Sequence, residues 1–200
     1  MTNRFSKQYC RALVIVHGAS ELQIVRSIKS KLRLPLEIYS NEKGASSIQV
    51  NGLENVLGNV IFNNSKSFLK QYDNIETYKR APVNFKVFII MDTDDCKNDE
   101  IREQYIDGSL FSKHWLSPYI TPIYNSPSLE DVMISCGFFN KKLSNKDKLP
   151  TYRKLFPITQ GATNFEEIKA LSERLERCKY TNFDDFIKYC LDWAEQSKIK

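Results

Sequence analysis

The chain has no Cys-x-x-Cys pair, no Gly-x-x-x-x-Gly-Lys-Ser/Thr loop, no long run of basic residues and no apolar stretch of bilayer-spanning length. Each absence removes a class. The five cysteines, Cys10, Cys96, Cys136, Cys178 and Cys190, are odd in number and unpaired in spacing, so neither a zinc ribbon nor a disulfide framework is expected. Free thiols fit a reducing compartment. The first twelve residues, MTNRFSKQYCRA, lack the apolar centre of a signal peptide, and nothing later reads as a membrane span. The expectation is a soluble cytoplasmic protein that does not engage a membrane. Two hundred residues are enough to bury a self-sufficient core without a structural metal.

What is present is a mild basic excess, +5 formal charges and a pI of about 8.8. It is compatible with a polyanionic partner, although the basic residues are dispersed. Residues 12–17 read as a strand and 21–33 as an amphipathic helix with Leu22, Val25, Ile28 and Leu32 on one side. LEIYSNEKG after Pro35 reads as a second strand and turn, and KGASSIQVNGLENVLGN as a loop with one short helix. Asn64 or Ser65 caps a helix carrying Phe68, Leu69, Tyr72, Ile75 and Tyr78 at helical spacing. FKVFIIMD, residues 85–92, is the clearest buried strand, followed by the acidic loop DTDDCKND.

A short helix near 99–107 precedes SPYITPIYN, a strand weakened by Pro118 and Pro122. Ser126 or Ser128 caps a helix from about Leu129, and helices near 145–156, 164–177 and 182–197 complete the chain. The fold expected is α/β: a mainly parallel sheet flanked by helices over residues 1–137, with a helical C-terminal extension, 138–200, packed on it. In such sheets ligands gather beyond the carboxyl ends of the strands. The two polar loops, His17 to Glu21 and Asp92 to Asp95, both stand there.

In extended backbone, residues two apart point the same way, so Asp92 and Asp94 can converge on one hard cation while Thr93 faces away. The plain alternative is a solvated loop whose acids cap the next helix. His17 and Glu21, four apart, can both face the strand-end cleft, with Gly18 allowing a tight turn. Equally, Glu21 can be a first-turn acid favoured by the helix dipole and His17 a polar residue closing the strand.

A strand ending in HGASE and a later strand ending in DTD resemble the Toprim domain of bacterial primases, topoisomerases and RecR-type repair proteins, and are most similar to the OLD-family Toprim nucleases. Those proteins read Glu-Gly-x-Ser/Thr-Glu at the first turn and carry a downstream Ser-x-Glu, here Ser128 to Glu130. The resemblance covers roughly residues 12–132. It implies a Rossmannoid fold, metal ligation by Glu21, Asp92, Asp94 and Glu130, a Mg²⁺ or Mn²⁺ cofactor, and phosphodiester cleavage of DNA or RNA in phage or mobile-element defence. Asp95, Ser128, Gly18 and Lys43 are further site candidates, and Arg153 and Lys154 could meet phosphates. An ATPase that many such nucleases use must come in trans here, since no phosphate-binding loop is present; a homo-oligomer is also compatible.

The departure is His17, where the family has glutamate. Histidine can shuttle a proton, with an unperturbed pKa near ~6.5, or ligate a softer metal. The chain is therefore an active nuclease with an altered site, or a catalytically degenerate module that binds nucleic acid or protein. A haloacid-dehalogenase-type phosphatase also uses Asp-x-Asp, but on its opening strand, and a whole strand-helix-strand unit precedes Asp92. Twelve phenylalanines and ten tyrosines could stack on bases, yet Phe85, Phe88, Phe138, Phe165 and Phe183 fall where packing needs them. His114 beside Trp115 reads as a surface or packing residue, and KLSNKDKLPTYRKL as a solvated helix face.

Overall fold

A computed structural model describes residues 8–158 and 163–198; most of the N-terminal stretch read for a signal peptide lies outside them. The elements run β1 (Ala12–Val16), α1 (Ala19–Leu32), β2 (Glu37–Tyr39), α2 (Leu53–Leu57), α3 (Ser65–Gln71), β3 (Thr77–Tyr78), β4 (Ala81–Pro82), β5 (Lys86–Asp92), α4 (Asp99–Ile106), β6 (Ile120–Asn125), α5 (Leu129–Ser135), α6 (Asn145–Leu155), α7 (Phe165–Glu176) and α8 (Phe183–Lys198). Among the described residues β2, β1, β5 and β6 form, in that order, a four-stranded parallel sheet. Helices cover both of its faces, and the arrangement is Rossmann-like. The order reverses between β1 and β5, so a switch point opens beyond their carboxyl ends.

The strands' period of two builds two separate cores. Ala12, Val14, Val16, Phe88 and Ile90 face α1, α5, α6, α7 and α8. Leu13, Ile15, Val87, Ile89 and Met91 face the other way, toward Leu53, Leu57, Phe68 and Tyr105 of α2, α3 and α4. The C-terminal helices are thus built into the α1-side core: Tyr152, Leu175, Phe183, Phe186 and Ile187 are fully buried there. Buried Lys31 is neutralised by Glu167, an ion pair joining α1 to α7.

Two elements differ from the sequence reading. The helix over residues 64–78 stops at Gln71, because Asp73 and Asn74 turn the chain and Ile75 bridges to Cys10 beside the sheet. Tyr78 then enters a small hairpin, β3 with β4, whose two central residues, Lys79 and Arg80, have φ of 49° and 67°, the pair of positive values that a tight primed hairpin turn requires. Second, β6 is a full six-residue strand despite Pro122. It lies at the sheet edge, where a missing N–H is tolerated. Asn182 covers that edge: its amide accepts from the Tyr124 N–H at 2.8 Å and donates to the Pro122 carbonyl at 3.1 Å.

Candidate functional site

Asp92 ends β5 on the α1 side and is 6% exposed. Its Oδ1 accepts from the Leu129 N–H at 2.8 Å and from Asn125 Nδ2 at 3.2 Å. Asn125 is held in turn, its own Oδ1 lying 3.0 Å from Thr181 Oγ1 at the start of α8. Burial, and then the charge of Glu21, push the Asp92 carboxyl up to about 8; the bonds from Leu129 and Asn125 oppose the shift and Asp94 adds to it. Glu21 is 3% exposed, in the first turn of α1, where its Oε2 accepts from the Gly18 N–H at 3.0 Å. Two buried carboxylates therefore stand close enough at the switch point for the charge of Glu21 to raise the Asp92 pKa.

Asp95 diverges from Asp92, whereas Asp94, one residue nearer and beyond the end of β5, lies close enough for its charge to act on Asp92. Thr93 is buried and its N–H points at the carbonyls of Asn125 and Pro127, while Asp94 is exposed. Asp95 bends back toward Val50, whose N–H lies 3.3 Å from its Oδ2, and its carbonyl accepts from Asn51 Nδ2. Burial raises the Asp95 pKa, opposed by the Val50 N–H and by His17.

His17 extends the β1 ladder by donating its N–H to the Ile90 carbonyl at 2.9 Å. It continues the odd-numbered set that faces away from α1, and its carbonyl accepts from Ile48 N–H at 2.7 Å. Its Nδ1 stands 4.0 Å from Asp95 Oδ2 and has no hydrogen-bond partner among the described residues. The structure thus brings Asp92 to Glu21 and His17 to Asp95, two pairs on two sides of the sheet's end.

The remaining candidates have identifiable structural work. Ser128 Oγ caps α5, accepting from the Asp131 N–H at 3.3 Å and lying 2.6 Å from its Oδ2. Glu130 accepts from the Leu143 N–H and stands 3.6 Å from Lys148 Nζ. Lys43 is exposed. Gly18 has φ −157°, extended backbone open to any residue, and a Cβ there would meet only ordinary contacts at 3.5 Å. In the loop after β2, by contrast, Gly44 is required: its φ is +90° and a Cβ would lie 2.8 Å from Leu22 Cδ2.

Sequence reasoning missed Asn125, Thr181 and Tyr152. Tyr152 of α6 is fully buried, and burial followed by the charges of Glu21, Glu130 and Asp92 pushes its pKa up. It was read as part of a solvated basic face; the apolar residues Leu149, Tyr152 and Phe156 at helical spacing were the available signal. His114 is a packing residue, its Nδ1 accepting from the Leu116 N–H at 3.2 Å.

Among the described residues no three histidine, cysteine, aspartate or glutamate side chains converge tightly enough to hold one ion by themselves. The chemistry of the two buried carboxylates, with Asp92 Oδ2 outside both hydrogen bonds that its partner oxygen accepts, is that of a seat for a single hard cation. Mg²⁺ is usually held by one or two carboxylates, with water and phosphate oxygens completing its shell. No helix among the described residues is long and apolar enough to cross a membrane. Compared with known proteins, the chain matches no family model, no curated protein and no solved structure.

Proposed function

We propose that the chain is a divalent-cation-dependent nuclease of Toprim-like type that cleaves phosphodiester bonds in DNA or RNA. The observation that carries this reading is the Glu21–Asp92 pair, buried at the switch point, with the Asp92 carboxyl pushed up to about 8 by burial and by its neighbour. A cation bound there would polarise a phosphoryl oxygen and neutralise developing charge. Glu21 and Asp92 would hold it, with Asn125 and the Leu129 N–H fixing the Asp92 rotamer. His17, beside Asp95, is the base available for a proton from attacking water.

A cleft of about 790 Å³ adjoins this end of the sheet. Val50 and Asn51, which Asp95 pins, form one wall; Lys97, Lys113 and His114 also line it, with Glu54 as its single acid. It supports a nucleic-acid track, with two ammonium groups for phosphates over an apolar floor.

A second reading has its own support. The lack of a three-ligand group and the histidine at position 17 favour a degenerate module that binds nucleic acid without cutting it. Incubation of the purified chain with plasmid DNA, single-stranded DNA and structured RNA, in Mg²⁺, Mn²⁺ or EDTA, separates the two. Metal-dependent cutting that disappears in Asp92→Ala is the expected result; retention of nucleic acid without cutting in any metal selects the module.

A further inference from the structure

Two tyrosines are fully buried against the sheet, one in each core. Tyr105 of α4 has its hydroxyl 2.7 Å from the Ile89 carbonyl oxygen and 2.9 Å from that of Ile123, so the protein satisfies it. Tyr152 of α6 differs. Its ring packs edge-on to Phe139 at 5.4 Å and tilts toward Phe156 at 6.1 Å, but its hydroxyl is buried with no hydrogen-bond partner in the protein among the described residues.

A hydroxyl in that position is a net burden to the fold. Phenylalanine would fill the same space without desolvating a polar group, and a buried donor left unpaired destabilises the folded state. The charges that act on this hydroxyl are those of the Glu21, Glu130 and Asp92 carboxylates, and it is hydrogen-bonded to none of them. Each of the three already has an oxygen engaged: Glu21 with Gly18, Asp92 with Leu129 and Asn125, Glu130 with Leu143. A buried donor left unpaired in the neighbourhood of three carboxylates is matched to an oxygen lying between it and them.

We propose that the Tyr152 hydroxyl donates to a cation-bound oxygen, of water or of a phosphoryl group, seated between Glu21 and Asp92. The inference rests on the cation reading above and adds an outer-sphere contact from the C-terminal helices. It makes α6 part of the site rather than only part of the core. Outer-sphere hydrogen bonds of this kind orient the inner ligands and contribute to metal affinity.

The test is Tyr152→Phe beside wild type. Thermal midpoints are taken in EDTA, and uptake of MnCl₂ alone is followed by loss of the free-ion electron paramagnetic resonance signal. The expected result has two opposed parts. The variant's midpoint in EDTA rises by a few degrees, because an unpaired buried hydroxyl is gone, while its Mn²⁺ affinity falls by about tenfold. A lowered midpoint in EDTA makes the hydroxyl a structural group and overturns the proposal. Unchanged Mn²⁺ affinity also overturns it but leaves the Glu21–Asp92 reading standing. A wild type that takes up no Mn²⁺ overturns both.

Discussion

The two sides of the sheet's carboxyl end carry different chemistry, although one short segment, Asp92 to Asp95, feeds both. On the α1 side, Asp92 and Glu21 are buried carboxylates, one of them held above its ordinary range by the other and by desolvation. On the opposite side, His17 stands 4.0 Å from Asp95, which the N–H of Val50 restrains, and Val50 in turn lines a cleft with Lys97 and Lys113. On the function proposed above, the first side would hold a cation and the second would handle a proton and a polyanion. A strand end can do this because neighbouring residues leave it on opposite faces, so a compact acidic motif supplies two half-sites rather than one cluster.

The largest effect that would break this division is on Asp92. Asp92→Ala removes one of two inner ligands, and Mn²⁺ uptake and metal-dependent cutting are both expected to be undetectable while the protein still melts cooperatively. Uptake is read by Mn²⁺ titration and folding by circular dichroism. His17→Ala is expected to separate the two sides: cutting falls by about 10²–10⁴-fold, as for loss of a general base, while Mn²⁺ affinity changes by no more than about twofold, since the weak 4.0 Å contact with Asp95 contributes little to stability. Loss of Mn²⁺ uptake in His17→Ala would place histidine and carboxylates in one site and end the comparison.

The next effect concerns the metal-free protein. The Asp92 carboxyl is raised in the folded chain from 3.8 to about 8. A group raised by folding contributes stability that is fully present below its unfolded pKa and is lost as pH climbs through the folded one. In EDTA the wild-type midpoint should therefore fall, relative to Asp92→Asn, as pH rises from about 4 to about 8. The gap should reach the order of 5–10 °C. Asparagine keeps the oxygen that accepts from Leu129 and cannot ionise. Parallel melting curves of the two proteins across that window would instead mean that Asp92 titrates normally.

The smallest effect is local to the support of Asp92. Thr181→Val removes the hydroxyl near Asn125 Oδ1 and is expected to weaken Mn²⁺ uptake by about two- to fivefold, with a stability loss of about 1 kcal/mol. Denaturant melts and Mn²⁺ titration measure the two parts.

Much of the framework was legible before the structure. The apolar run of residues 87–91 reads as a buried strand, the amphipathic period of 22–32 as a helix, and the caps at Asn64 and Ser128, each one of two residues the sequence offers, bond to their helices. These are local signals. The separation of His17 from Asp92 depends on parity carried past two strand ends, and the turn of Asp95 toward Val50 depends on where β5 stops, neither of which periodicity resolves to one residue. Tyr152, Asn125 and Thr181 reach the site through tertiary packing of segments 30 to 90 positions from the motif residue they support. The need for Gly44 comes from a φ of +90° and from the approach of Leu22 to its loop, neither of which the local sequence displays.

The central claim, that Glu21 and Asp92 form a cation seat on the α1 side of the switch point, is most directly tested by Mn²⁺ titration of wild type and Asp92→Asn at pH 6, 7, 8 and 9. The predicted result is a wild-type affinity that rises steeply toward pH 8 and then levels, as the Asp92 carboxyl loses its proton, with negligible uptake by Asp92→Asn throughout. Equal uptake by the two proteins, or an affinity indifferent to pH, would contradict it.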